Sequence, residues 1–215
     1  MLKEVCVENF TVVPEAIRRG AGRIELCDNL AVGGTTVSHG VALKTIHYCH
    51  NKNSKVMAIV RPRGGNFVYN EAEIEMMQTD IAHLKQLGAD GVVIGCLTET
   101  GWIDEEAMIS LLRVAQGLDI TFHMAFDHLK PEYQNPAITW LANHGVKRIL
   151  THGGPSGTSI IENLPRLKEL IQFASNKLII LPGGGITADN LELLVRELPL
   201  TEVHGTKIVG ELGIK

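Results

Sequence analysis

Aromatic residues make up only 5% of the 215-residue chain, proline occurs 8 times and cysteine 4 times. So little proline, beside 45% hydrophobic and 20% charged residues, excludes a collagenous or disordered chain and describes an ordinary globular one. The four cysteines, Cys6, Cys27, Cys49 and Cys96, lie far apart. A chain of this length buries a core without cross-links, so no disulfide framework is expected, and a cytoplasmic location is. Basic charge is not in excess: 20 Lys and Arg stand against 24 Asp and Glu, a net charge of -4. That balance argues against nucleic acid or an anionic membrane surface as a partner. Long apolar runs are missing too. Val92 to Ile94 and Leu178 to Leu181 fall far short of the ~20 residues a bilayer span needs. Glu4 and Glu8 interrupt the apolar residues at the N-terminus, so no secretory leader is expected.

What is abundant is a repeat. Eight short β-rich segments begin near residues 2, 23, 55, 90, 119, 146, 177 and 202, with room for one helix and two loops between successive ones. Helix starts are signalled by Ser38, by Asp104 with acidic residues after it, by Pro136 after Asn135, and by Thr187 before Leu191. Gly20, Gly88, Gly117 and Gly145 each follow a helical pattern and precede a strand, as left-handed helix ends require. RRGAGRIEL, QLGADGVVIG and NHGVKRIL write that junction three times. Strands separated by helices run parallel, so eight such units predict a (β/α)8 TIM barrel, with an open doubly wound sheet as the alternative. Asn9-Phe10-Thr11 after the first strand is no dinucleotide-binding glycine turn, which disfavours the open sheet. No linker or low-complexity tract divides the chain, so residues 1–215 form one expected domain. Ile208 to Lys215 is too short for a full closing helix; that helix is expected to be short or absent, with a second copy of the chain over the seam.

Side chains alternate along a barrel strand, so polar residues fix which face looks inward. Glu4, Cys6 and Glu8 share one face of the first strand; Glu25 and Cys27 share one face of the second. Arg61 and Arg63 follow Ile59 at the third, and Thr121, His123, Ala125 and Asp127 alternate with Phe122, Met124 and Phe126 at the fifth. An interior holding Glu8, Glu25, Arg61 and His123 must compensate those charges internally or with a ligand. It is therefore a site at the C-terminal mouth or a fixed ionic plug. Two glycine-rich loops, one holding Gly153 and the other Gly184 and Gly185, join Gly205 and Lys207 after the last strand as a candidate anion cradle; tight βα turns are the alternative reading.

The sequence resembles the CutC family of copper homeostasis proteins. The resemblance is carried by EVCVEN (4–9), GRIELC (22–27), GGTTVSHG (33–40), RPRGGNFVY (61–69), GADGVVIGCLT (88–98), TFHMAFD (121–127), PGGGIT (182–187) and EVHGTK (202–207), in order along almost the whole chain. It implies a cytoplasmic, dimeric TIM barrel connected with copper tolerance and Cu(I) binding. The chain departs from the family's usual wording at Met124, where Arg is common, at Cys96, where a small residue is common, and at His152, where Ser is usual.

Two chemistries follow. Cu(I) is soft and prefers thiolate and thioether donors. Cys6 and Cys27, on adjacent strands with the same inward phase, are the candidate ligands, with Met57 in phase to approach them; buried cysteines are also commonly plain packing residues. Cys96 is expected to face the helices, and His47, Cys49 and His50 to lie on a helix away from the mouth, while Met76, Met77 and Met108 read as core. The alternative is a lyase- or isomerase-type enzyme for a small anionic or phosphorylated metabolite. In that reading Glu8 or Glu25 is the base, His123 the acid/base, Arg61 or Arg63 the anion clamp, and Asp127 orients His123 or a loop.

Overall fold

Each helix must turn back to start the next strand, and four glycines make that turn: Gly20, Gly88, Gly117 and Gly145 have φ between +79° and +98°, which only glycine adopts without strain. In the computed structural model, which describes residues 1–155 and 157–213, these four junctions and three others link eight parallel strands. The strands are β1 (Leu2–Glu8), β2 (Arg23–Cys27), β3 (Lys55–Ile59), β4 (Gly91–Ile94), β5 (Asp119–Phe122), β6 (Arg148–Thr151), β7 (Ile179–Pro182) and β8 (Glu202–Gly205). The helices between them are α1 (Val13–Arg18), α2 (His39–His50), α3 (Glu71–Gln86), α4 (Glu105–Val114), α5 (Pro131–Asn143), α6 (Leu164–Ala174) and α7 (Leu191–Glu197). Strand order is β7-β6-β5-β4-β3-β2-β1-β8, a nearly closed (β/α)8 barrel.

The β7–β8 seam is closed by contact and by loops. A Cβ on Gly183 would lie 3.0 Å from the His204 ring, and Ala188 donates its N–H to the Lys207 carbonyl at 3.0 Å. No helix follows β8 among the described residues.

Alternation sorts the side chains into two layers. Val5, Val7, Ile24, Leu26, Val92 and Ile94 face outward into the main core, where they meet Ile46, Met77, Ile81, Met108 and Leu111 from the helices. Each such side chain contributes roughly 1.5–3 kcal/mol by leaving water. Cys6, Cys27, Met57, Ile59 and Val93 form a separate apolar cluster inside the barrel. Cys96 and Cys49 are in the outer layer.

Three local expectations need correction. Pro136 does not start a helix: α5 begins at Pro131, and Pro136 lies within its second turn, where the missing N–H leaves one helical carbonyl without its partner. α7 starts after Asn190 and not at Thr187, whose N–H is accepted by the Asn190 side chain at 2.9 Å. Met76 is 54% exposed while its neighbour Met77 is fully buried, because consecutive helical residues sit about 100° apart and only one of them can face the sheet.

Candidate functional site

The N-terminal end of the barrel is filled by paired charge. Arg23, at the start of β2, bonds Glu4 and also Glu202 at 2.5 Å. Arg148, at the start of β6, bonds Glu202 at 2.6 Å and Asp119 at 3.3 Å, and Lys147 holds Asp119 from outside at 2.9 Å. Burial would raise the carboxyls of Glu202 and Asp119, but the cations around them hold both below their ordinary values. An ionic plug therefore exists, one layer below the residues the alternation picked out.

Above the plug lies a linked acid–imidazole layer. His204 on β8 meets Glu4 through Nδ1 at 2.8 Å and faces Glu25 through Nε2 at 3.6 Å. Burial disfavours the imidazolium, but Glu25, Cys6 and Glu4 outweigh it and raise His204 well above its ordinary value. Burial and the neighbouring Cys6 raise Glu25 well above the carboxylate range. The Cys6 and Cys27 sulfurs are 3.8 Å apart, and Glu25 lies 3.6 Å from Cys27, so Cys6 and Glu25 share the single Cys27 S–H. The pair divides its protonation unequally: the bond from Cys27 pulls Cys6 down to about 5 against burial, and the same bond with burial pushes Cys27 up. These thiols are diagonal neighbours, since the register sets Cys6 opposite Glu25 and Glu8 opposite Cys27.

The thiols open into a cavity of about 210 Å³ at the C-terminal mouth, which Glu25, Arg61, Phe67, His123 and His204 also line. Arg61 is buried, with no carboxylate within 4.0 Å among the described residues. Its guanidinium instead donates to the carbonyls of Val32 (2.9 Å), Gly34 (3.1 Å) and Gly65 (2.7 Å), and its Nε has no partner. The Tyr69 hydroxyl approaches it without closing a hydrogen bond; burial pushes that phenol up to about 12. His123 accepts the Ala125 N–H at Nδ1 (3.2 Å), which leaves the proton of the neutral ring on Nε2, an atom that is buried and unpartnered. Burial, with Arg61 nearby, lowers His123 to about 3. Phe67 stands between the two, 4.8 Å from the guanidinium carbon and 4.8 Å from the imidazole centroid.

Of the residues singled out in sequence, Cys6, Glu25, Cys27, Arg61, His123, Gly184, Gly185 and Gly205 thus line one cavity. The others lie elsewhere. Glu8 ends β1 exposed and accepts the Leu30 N–H at 2.6 Å, because the strand leaves the barrel before its side chain can turn in. Arg63 braces the loop before α3 through Glu73 (2.5 Å) and the Val68 carbonyl (2.7 Å). Asp127 does not touch His123. The short 3-10 turn Met124–His128 carries it away to accept from the Thr151 hydroxyl and from the His152 N–H at 2.8 Å. Gly153 packs over Leu167, and Lys207 is 54% exposed and paired with Glu211 at 2.7 Å. His204 was missed, although Glu202 and His204 alternate with Val203 in the polar phase used for the other strands. Arg23 and Arg148 were missed because each opens its strand, where a basic residue reads as a loop end.

The fold and site define a TIM barrel with a buried thiol pair, an acid–imidazole cluster and a lone guanidinium at its mouth. A match to the CutC family spans residues 1–209. A CutC family protein of Enterococcus faecalis is 59% identical over 209 residues, 97% of this chain and 100% of that one. A human relative named copper homeostasis protein cutC homolog is 43% identical over 203 residues, 94% of this chain and 72% of that one. The crystal structure of CutC from Streptococcus agalactiae superposes with a TM-score of 0.94 at 44% identity, covering 97% of this chain and 99% of that one. The chain belongs to the CutC family. No helix among the described residues is long and apolar enough to cross a membrane.

Proposed function

We propose that the protein is a cytoplasmic copper homeostasis protein that takes Cu(I) as cargo on the thiols of Cys6 and Cys27. The observation that carries this reading is the pair itself: two buried sulfurs 3.8 Å apart, close enough for one ion to touch both. They pack against Met57, Ile59 and Val93 on one side and face Glu25 and His204 on the other, and a soft thiol pair suits a soft monovalent ion at low coordination number. The printed names of relatives such as the human cutC homolog support the connection with copper. Competition titration with a Cu(I) chelator is expected to give one ion per chain in the wild type and none in Cys6→Ser or Cys27→Ser, with Cys96→Ser unchanged. Tight binding that survives both substitutions would remove the proposal. The same reading makes the protein a homodimer; a monomeric sedimentation mass at micromolar concentration counts against that part.

A second reading, a lyase- or isomerase-type barrel enzyme for a small anionic or phosphorylated metabolite, is favoured by Arg61, a buried cation without a carboxylate beside the cavity. Glu25 would serve as its proton-transfer group and Arg61 as its clamp, with His123 beside them. Metabolite screening by thermal shift tests it, the stabilisation being lost in Arg61→Ala.

A further inference from the structure

We infer that the mouth cavity is a binding site for a small monocarboxylate with a short apolar body, its two oxygens taken by the Arg61 guanidinium and by His123 Nε2–H. The inference deepens the second reading by naming its ligand class, and it requires neither turnover nor copper.

Three observations converge. Arginine is permanently charged, and burying a charge without an opposite one is unfavourable. Arg23 and Arg148 are each met by two carboxylates, whereas Arg61 has three backbone carbonyls, which are dipoles and leave its unit charge uncancelled. His123 contributes the second observation. Its Nδ1 is engaged by the Ala125 N–H, so Nε2 is a donor, and this nine-tenths buried donor has no acceptor. Both groups border the same cavity, and Phe67 packs against both.

The third observation fixes the class. Arg61 and His123 give their side of the cavity one permanent cation and one neutral donor, which match a single negative charge; His204, the other cation on the wall, is already met by Glu4 and Glu25, so a phosphate dianion would lack the further cations it calls for. Lys207, the nearest candidate in sequence terms, is held outside by Glu211. The remaining wall carries Glu25 and Cys6, which disfavour further negative charge, together with Leu30, Ile59, Phe67 and Leu150, which suit carbon. The volume of about 210 Å³ leaves room for a carboxylate on a short chain.

The test uses the full-length, metal-free protein with butyrate, uncharged butyramide and inorganic phosphate as probes, read by calorimetric titration and thermal shift. Butyrate at ten times its dissociation constant is expected to raise Tm by about 3–5 °C, with no shift from butyramide or phosphate. Arg61→Met removes the charge. His123→Asn keeps an acceptor for the Ala125 N–H while removing Nε2, so it preserves the local fold and isolates the donor. Each is expected to weaken butyrate at least ~10-fold. No saturable butyrate binding, equal binding of butyramide, preference for phosphate, or affinity unchanged in His123→Asn would each overturn the inference. Cu(I) titration of the same wild-type preparation reads the copper proposal separately, so either can fail alone.

Discussion

The two ends of this barrel handle buried charge in opposite ways. At the N-terminal end, Arg23, Arg148, Glu4, Glu202 and Asp119 form a closed set in which every cation meets two carboxylates. At the C-terminal end, Arg61 meets only carbonyls, His123 keeps an unpartnered Nε2, and two thiols face a cavity. A closed network specifies the fold because removing any member strands the others. An open one holds groups whose partners must come from outside. A fixed ionic plug thus occupies one end of the polar barrel interior, and the candidate site the other.

The largest effect should come from breaking the closed end. Arg23→Met leaves Glu4 and Glu202 each short of a cation in a buried layer, and is expected to destabilise the fold by about 3–5 kcal/mol in urea unfolding. Arg61→Met should be less damaging, since it removes an uncompensated charge along with three carbonyl contacts. If the two variants lose equal stability, the contrast between the ends is wrong. The next effect is the mirror image. Cys6→Ser with Cys27→Ser should weaken Cu(I) at least ~100-fold, about 2.7 kcal/mol, while Arg23→Met, where folded, still binds the ion. Copper retention in the double variant would place binding elsewhere.

Alternation along the strands makes much of this architecture legible in the sequence, because a parity error would turn a whole strand inside out. It brought Cys6 together with Cys27, and set Glu25, Arg61 and His123 on one cavity. It failed where strands end. Glu8 is the last residue of β1, and the 3-10 turn Met124–His128 carries Asp127 off the line of β5, so neither side chain keeps the inward direction that Arg61 and His123, one or two residues past their strands, still hold. His204 obeys the same parity and is legible in the alternation of Glu202 and His204 with Val203. Arg23 and Arg148 could be assigned to the plug only with the strand starts known, and those starts are the least certain positions in a sequence pattern.

The pH dependence sharpens the contrast within the mouth. His123 has a folded value of about 3 against 6.5 when unfolded, so below pH 6.5 the unfolded chain takes a proton that the native state refuses. Stability is then lost as pH falls from 6.5 towards 3, with a slope on the order of 1.4 kcal/mol per pH unit. His204 has the opposite sign. Its folded value is raised, so its contribution is fully present below 6.5 and is lost as pH rises through that folded value. Urea midpoints of the wild type and His123→Asn at pH 7, 6 and 5 separate the two: the variant's curve should fall less steeply with acid. Parallel curves would mean that His123 is not held neutral.

The smallest effect belongs to a residue that belongs to neither end. Lys207 follows β8, beside the glycines of the expected anion cradle, but its ammonium pairs with Glu211 at the surface, and both groups are more than half exposed. Water and salt screen such a pair, and the long side chain loses rotamer freedom to make it. Lys207→Met should therefore leave the urea midpoint, Cu(I) affinity and butyrate affinity all within error of the wild type. A loss of butyrate binding would show that the cavity draws its charge from the loop after β8 as well as from Arg61, and the single-cation argument for a monocarboxylate would then give way to one for a more highly charged anion.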